Sequence, residues 1–156
     1  MSLVLAAAFG LHQLATVVWV GGMFFAHLVL RPAVAEVMQG PDRVRLMAGI
    51  FRRFFPWVWT AVALLWGSGL WLLLGVLHGR GGAHVHVMMG IATVMTAIFV
   101  GLFAFPYRQF RLAVASGDWP LAAAKLTLIR RLIGVNLVLG LTTAVVGAAG
   151  PYVHAG

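Results

Sequence analysis

The sequence contains no cysteine, and only 3 of its 156 residues are acidic. Without cysteine the chain cannot form a disulfide, bind a metal through thiolate, ligate an iron–sulfur cluster or attach haem through a Cys-x-x-Cys-His motif. Charged residues make up 9% of the chain, whereas a soluble domain carries about 25%. These absences argue against a soluble domain.

Apolar residues instead make up 62% of the chain. Crossing a bilayer takes roughly 20 residues of helix, and four apolar stretches are long enough, at about 3–30, 56–78, 84–106 and 129–149. The first is not expected to be a cleavable signal peptide, because it has no basic start and its apolar run is too long. The pattern predicts an all-α membrane four-helix bundle that forms one domain, residues 1–156.

The basic residues are distributed unevenly. All of the 11 basic residues except Arg80 lie between spans one and two or between spans three and four. The positive-inside rule therefore places both basic loops in the cytoplasm and both termini outside, in the periplasm if the membrane is a bacterial inner membrane. No aromatic-interleaved basic motif favours nucleic acid, so the basic residues are expected to contact lipid head groups.

Residues of the same type recur along the chain, as in an internal duplication. His12 and His86 are 74 residues apart, as are Pro32 and Pro106. When the offset between the two halves is increased by three or four residues, Gly40-Pro41-Asp42 corresponds to Gly117-Asp118, and Arg52-Arg53 corresponds to Arg130-Arg131. We therefore expect two parallel repeats, about 3–78 and 84–150, related by a pseudo-twofold axis along the membrane normal. Each would contain a span, a short interfacial amphipathic helix (41–54 or 119–128) and a second span.

The six histidines are the main candidates for function, since ionisable groups inside a membrane are costly. His12 and His86 occupy equivalent places in the two repeats. Two facing imidazoles suit haem b, whose iron takes one nitrogen from each side without a covalent bond to the protein. The alternative is a pair of neutral histidines that only bond other helices. The residues on the same helix faces become candidate cofactor contacts: Thr16, Trp19, Gly90 and Thr93.

A second metal-binding pattern lies at the outer end of the third span. His84, His86, Met88 and Met89 combine imidazole and thioether ligands, which suit copper. His84 and His86 are, however, about 200° apart on a regular helix. We therefore expect His84 to face the outer aqueous edge while His86 faces the core.

The fourth span contains one amide side chain, Asn136. It is expected either to hydrogen-bond a neighbouring helix or to meet His27 in the cytoplasmic half of the bundle. The phenylalanines and tryptophans of residues 54–59 predict an aromatic belt where the second span enters the membrane.

The run 11–25, Leu-His-Gln-Leu-Ala-Thr-Val-Val-Trp-Val-Gly-Gly-Met-Phe-Phe, resembles the opening helix of the copper-resistance protein D (CopD) family. The run 129–137, Ile-Arg-Arg-Leu-Ile-Gly-Val-Asn-Leu, resembles its last helix. The family name implies copper handling, although no residue requires copper transport.

The opening run is also similar to the related HemJ-type protoporphyrinogen oxidases, which bind haem b. That resemblance implies a ligand at His12 and a lysine near the start of the third helix. Residues 83–87, Ala-His-Val-His-Val, contain no such lysine. The resemblance therefore implies a haem site, whereas the missing lysine argues against protoporphyrinogen oxidase activity.

The leading hypothesis from the sequence is a haem-b-binding, cytochrome b-like membrane protein with a redox or electron-transfer role near the outer face. If it is an enzyme, it would be a membrane haem-b oxidoreductase. A copper-binding or copper-uptake protein and a structural subunit without a cofactor are the alternatives. Expected partners are the lipid bilayer, haem, a redox partner in the membrane or periplasm, and a second copy of the chain in a homodimer.

Overall fold

A computed structural model describes residues 3–153 of the chain. Four long helices account for nearly all of them: α1 Leu3–Val37, α2 Gly40–Val76, α3 Ala83–Ser116 and α4 Trp119–Val153. No strand occurs in these residues. Each helix contains a stretch that is long and apolar enough to cross a membrane, which confirms the prediction of an all-helical protein with four long apolar helices.

Short turns with local stop signals separate the helices. At the α1–α2 turn, Gly40 has a left-handed φ of 60°, Pro41 lies in the first turn of α2 and Asp42 places negative charge at the positive end of the helix dipole. Gly117, with φ of 74°, ends α3 in the left-handed conformation that glycine favours. The Asp118 carboxylate then accepts the N–H of Leu121 at 3.0 Å and caps α4.

The predicted amphipathic loop helices are not separate elements. Residues 41–54 and 119–128 form the first turns of α2 and α4, which continue into their spans without a break. Pro56 lies inside α2, and it does not interrupt the helix between residues 41–54 and the span that follows. Pro106 lies inside a π-helical turn, Phe103–Tyr107, and a wider turn accommodates a residue that has no N–H for the helical ladder.

The helices pack chiefly as two hairpins. α1 packs mainly against α2, and α3 mainly against α4, while α4 also contacts α1 and α2. Aromatic rings join the hairpins in the middle of the bundle. Phe99 of α3 makes edge contacts with Trp19 of α1 at 6.3 Å and with Phe55 of α2 at 5.7 Å between ring centroids.

The shared core lies toward the end of the bundle that holds the 38–39 and 117–118 turns. It begins at Ala15 on α1 and at Met95 on α3, and it ends at Val62 on α2 and at Leu137 on α4. Many large apolar side chains point outward instead, such as Val17, which is 66% exposed. A lipid environment accounts for these outward-facing apolar side chains, because lipid tails, unlike water, are themselves apolar.

Candidate functional site

His12 is a half-buried residue of α1 whose ring lies against α2. Its Nδ1 atom is 2.9 Å from the Oγ atom of Ser68. The Ser68 hydroxyl donates a hydrogen bond to the carbonyl oxygen of Leu64, 2.5 Å away, so its oxygen is free to accept a hydrogen bond from the Nδ1–H group of His12. The bond therefore favours the tautomer in which Nε2 carries a free lone pair.

Glycine allows this close approach of the His12 ring to α2. A Cβ atom added at Gly69 would lie 3.3 Å from the Cε1 atom of His12. The sequence Gly-Ser-Gly at 67–69 thus supplies both a hydroxyl partner and a small neighbour for one imidazole ring.

His86 presents the same tautomer on α3. Its Nδ1 atom lies 3.2 Å from the carbonyl oxygen of Gly82, and a carbonyl oxygen can only accept, so Nδ1 carries the proton. The side chain is exposed, and its partner Gly82 is the residue just before α3. Among the described residues no hydrogen bond joins His86 to His12, so the two candidate ligands are matched in chemistry but are not in direct contact.

The four candidate cofactor contacts differ in their surroundings. Trp19 is 3% exposed and belongs to the packed core. The Thr16 hydroxyl donates to the carbonyl oxygen of His12 at 3.0 Å. Gly90 is exposed, and a Cβ added there would have no atom within 4 Å. Thr93 is also exposed, with its hydroxyl bonded to Met89 of its own helix at 2.8 Å.

His84 does not face the outer aqueous edge, and that prediction is wrong. Its ring packs so closely on Gly150 of α4 that a Cβ atom there would overlap the ring. The Nδ1 atom is buried and has no hydrogen-bond partner among residues 3–153. The helical phase argument correctly separated His84 from His86, but it assigned the inward face to the wrong residue because it could not include the position of α4.

Met88 lies one turn below His84 and also contacts α4. A Cβ added at Gly147 would be 2.8 Å from the Cε atom of Met88. Met89 is half-buried and His86 is exposed. The four residues of the candidate copper cluster therefore do not all face the same way: His84 and Met88 face α4, whereas His86 is exposed. Within the described range, no group of three or more His, Cys, Asp or Glu side chains lies close enough to hold a metal ion.

Asn136 bonds across the bundle to a neighbouring helix, which confirms one of the two alternatives for it. Its Nδ2 atom donates to the carbonyl oxygen of Met95 on α3 at 3.1 Å, while its Oδ1 atom is buried with no partner in the described structure. His27 lies elsewhere, against Gly134, where an added Cβ would be 3.0 Å from its Cε1 atom.

The sequence reasoning missed Ser68 and the role of glycine in α4. Gly134, Gly140, Gly147 and Gly150 each lie against a side chain of α1 or α3, as small residues do at membrane helix interfaces. Their spacing in the last span was the available signal. His78 lies exposed in the 77–82 turn, and His154 lies outside the described residues.

The fold and these contacts define the class of the protein as an all-helical bundle with the helices of a membrane protein and two hydrogen-bonded histidines on α1 and α3. Comparison with protein-family models, with curated proteins and with solved structures found no significant match.

Proposed function

We propose that the chain binds haem b between α1 and α3, toward the outer end of the bundle, with His12 and His86 as axial ligands. We further propose a role in electron transfer or redox chemistry near the outer face of the membrane. The resemblance of the sequence to the CopD and HemJ families agrees with a redox or metal-binding role, and we propose a relationship to these families.

One observation carries the proposal most directly, the bond from His12 to Ser68. Metal-ligating histidines commonly donate their second ring N–H to an oxygen, which fixes the tautomer and orients the ring. His12 has this arrangement through Ser68 at 2.9 Å, and His86 has it through Gly82 at 3.2 Å. Each imidazole therefore keeps Nε2 as the nitrogen available to iron.

The register of α1 and α3 supports placing the two histidines at similar depth. Val20 of α1 and Met95 of α3 reach the same residue of α4, Gly140, where an added Cβ would be 2.9 Å and 3.1 Å from their side chains. Val20 and Met95 are 75 residues apart, close to the spacing of His12 and His86. The same register supports the proposed duplication, as do the π-helical turns that precede Pro32 and contain Pro106.

The positions of the two histidines and the open surface of α3 support the proposal. His12 and His86 both lie on the outer side of the shared core, which starts at Ala15 on α1 and Met95 on α3. The open space beside Gly90 leaves the surface of α3 uncrowded one turn below His86. A haem b held by His12 and His86 would supply single-electron transfer.

Cofactor analysis of the purified chain tests the proposal. The protein would be expressed with haem and copper both in supply, purified in a mild detergent, and assayed for haem by the pyridine haemochromogen and for copper by elemental analysis. We expect haem b at one per chain, with copper well below one. Copper near one per chain without haem would contradict the haem proposal.

Copper binding is the second candidate because of His84 and Met88. They lie four residues apart on α3, both against α4, and the buried Nδ1 atom of His84 has no partner in the described structure. Imidazole and thioether together suit Cu(I). A His84→Ala variant that loses copper, beside a His86→Ala variant that keeps it, would favour this candidate.

A further inference from the structure

The half-buried side chain of Arg130 lies toward the end of the bundle that holds the 38–39 and 117–118 turns, and it makes no ion pair with a described residue. The Nε and Nη2 atoms of Arg130, on α4, are buried and have no hydrogen-bond partner in the described part of the chain. Guanidinium N–H groups without an acceptor are costly when they are removed from water. The group therefore needs an acceptor that the described residues do not provide.

The charged neighbours of Arg130 make an anionic partner for its guanidinium group more favourable. The charges that act on it belong to Arg43 and Arg31, which are both cations. Arg43, on α2, is half-buried, and Arg31 is exposed. Arg43 and Arg130 line the same cleft, and Arg31 is near enough to act on Arg130, so the three like charges repel one another.

The acidic residues of the chain do not supply the counter-charge. The sequence has only 3. Asp42 is paired with Arg45 at 3.0 Å, the only ion pair among residues 3–153. Asp118 caps α4 through the N–H of Leu121, and Glu36 is exposed on α1. The described residues therefore supply no negative charge for Arg130.

A cleft gives such an anion access to the two arginines. Arg43 and Arg130 both line a cleft of about 480 Å³ between the first turns of α2 and α4. Small and apolar residues form much of its remaining wall, including Gly40, Trp119 and Ala123. The space exceeds that of one phosphate group, and the paired forks of arginine match phosphate oxygens in geometry and charge.

We propose that this cleft is a binding site for a phosphate group, held by Arg43 and Arg130. The site is separate from the proposed haem ligands His12 and His86, which lie on the other side of the core. The phosphate can belong to an anionic phospholipid of the adjacent leaflet, since basic pockets between membrane helices bind such head groups, or to a free phosphate compound.

Binding measurements on the full-length, delipidated protein in neutral detergent test the site. The probes are inorganic phosphate, phosphatidylglycerol and phosphatidylcholine, with affinity measured by native mass spectrometry and by thermal shift. We expect saturable binding of one equivalent of an anionic probe. Competition by inorganic phosphate would assign the site to free phosphate compounds, whereas binding of phosphatidylglycerol alone would assign it to lipid. Saturable binding of no probe would overturn the proposal.

The chain offers a matched control in the neighbouring arginine. Arg130→Gln and Arg131→Gln change the net charge equally, but Arg131 is exposed. We expect Arg130→Gln to weaken binding about tenfold or more, the loss of a charge-assisted contact, and Arg131→Gln to change it by about twofold or less. Equal weakening by both variants would show general charge attraction and overturn the site.

A second variant keeps the test decisive if Arg130→Gln fails to fold, as judged by circular dichroism and gel filtration. Arg43→Gln changes a half-buried residue near the start of α2, and we expect it to weaken binding in the same direction. Affinity no lower than that of Arg131→Gln would contradict the assignment.

Discussion

The Nδ1 atom of His12 on α1 lies 2.9 Å from the Oγ atom of Ser68 on α2. Because the Ser68 hydroxyl already donates to Leu64, it can only accept from His12. The pair therefore does more than join two helices. It fixes which nitrogen of the imidazole is protonated, and it leaves Nε2 with its lone pair.

Removing that hydroxyl is expected to weaken the proposed haem site. Ser68→Ala frees the His12 ring to rotate and to change tautomer, and loss of such an orienting group typically costs about 10–100-fold in metal affinity. Haem titration of the apoprotein, followed at the Soret band, measures the effect. Ser116→Ala is the control, since that hydroxyl bonds only its own helix at the far end of α3. Equal affinity in both variants would rule out an orienting role for Ser68.

Two glycines provide a test of the packing between the hairpins. A methyl group at Gly140 meets Val20 and Met95, at 2.9 Å and 3.1 Å, whereas one at Gly67 meets nothing within 4 Å. We expect Gly140→Ala to destabilise the bundle by about 1–3 kcal/mol, and Gly67→Ala to stabilise it by up to about 1 kcal/mol through helix propensity. Denaturation in mixed detergent micelles measures both, and a Gly140→Ala protein as stable as the wild type would contradict this packing.

Two substitutions of Asn136 compare how the bundle's stability responds to loss of a buried polar group and to introduction of a charge. Asn136→Leu removes one bond to Met95 and one buried Oδ1 atom without a partner, so we expect a change of about 1 kcal/mol or less. Asn136→Asp has nearly the same shape but loses the donor and can become charged in a buried place, which should destabilise the bundle by several kcal/mol. Unfolding of both variants under the same conditions checks this order, and a more stable Asn136→Asp protein would reverse it.

The topology prediction rests on charge alone. Ten basic residues on the helices around the 38–39 and 117–118 turns should hold those turns in the cytoplasm and both termini outside. Reporter fusions at residue 115 and at the C-terminus should report the cytoplasm and the outside, respectively. A cytoplasmic C-terminus in the native protein would contradict this orientation.

The sequence predicted the helices well because length and hydropathy are local properties. It could not predict the inward-facing side of each helix. Phe55 was expected in an aromatic belt but is 2% exposed in the core, whereas Trp57, two residues later, is 64% exposed. The orientation of α2 depends on contacts with Phe99 and Tyr107 of α3, which no local pattern specifies.

The candidate site shows the same limit. His12 became a candidate because it pairs with His86 in the apparent duplication, but its partner Ser68 is 56 residues away and has no sequence signal beyond its glycine neighbours. His84 was assigned to the wrong face for the same reason, since Gly150 of α4 determines where its ring packs.

The Soret absorbance of the purified protein and its histidine variants tests the central claim most directly. We expect the wild type to show a Soret band, and His12→Ala and His86→Ala each to remove or strongly shift it while the protein still inserts. His27→Ala should leave it unchanged, because His27 lies 15 residues beyond His12, roughly 22 Å of helix. A Soret band lost only in His27→Ala, or kept in both His12→Ala and His86→Ala, would contradict haem ligation by His12 and His86.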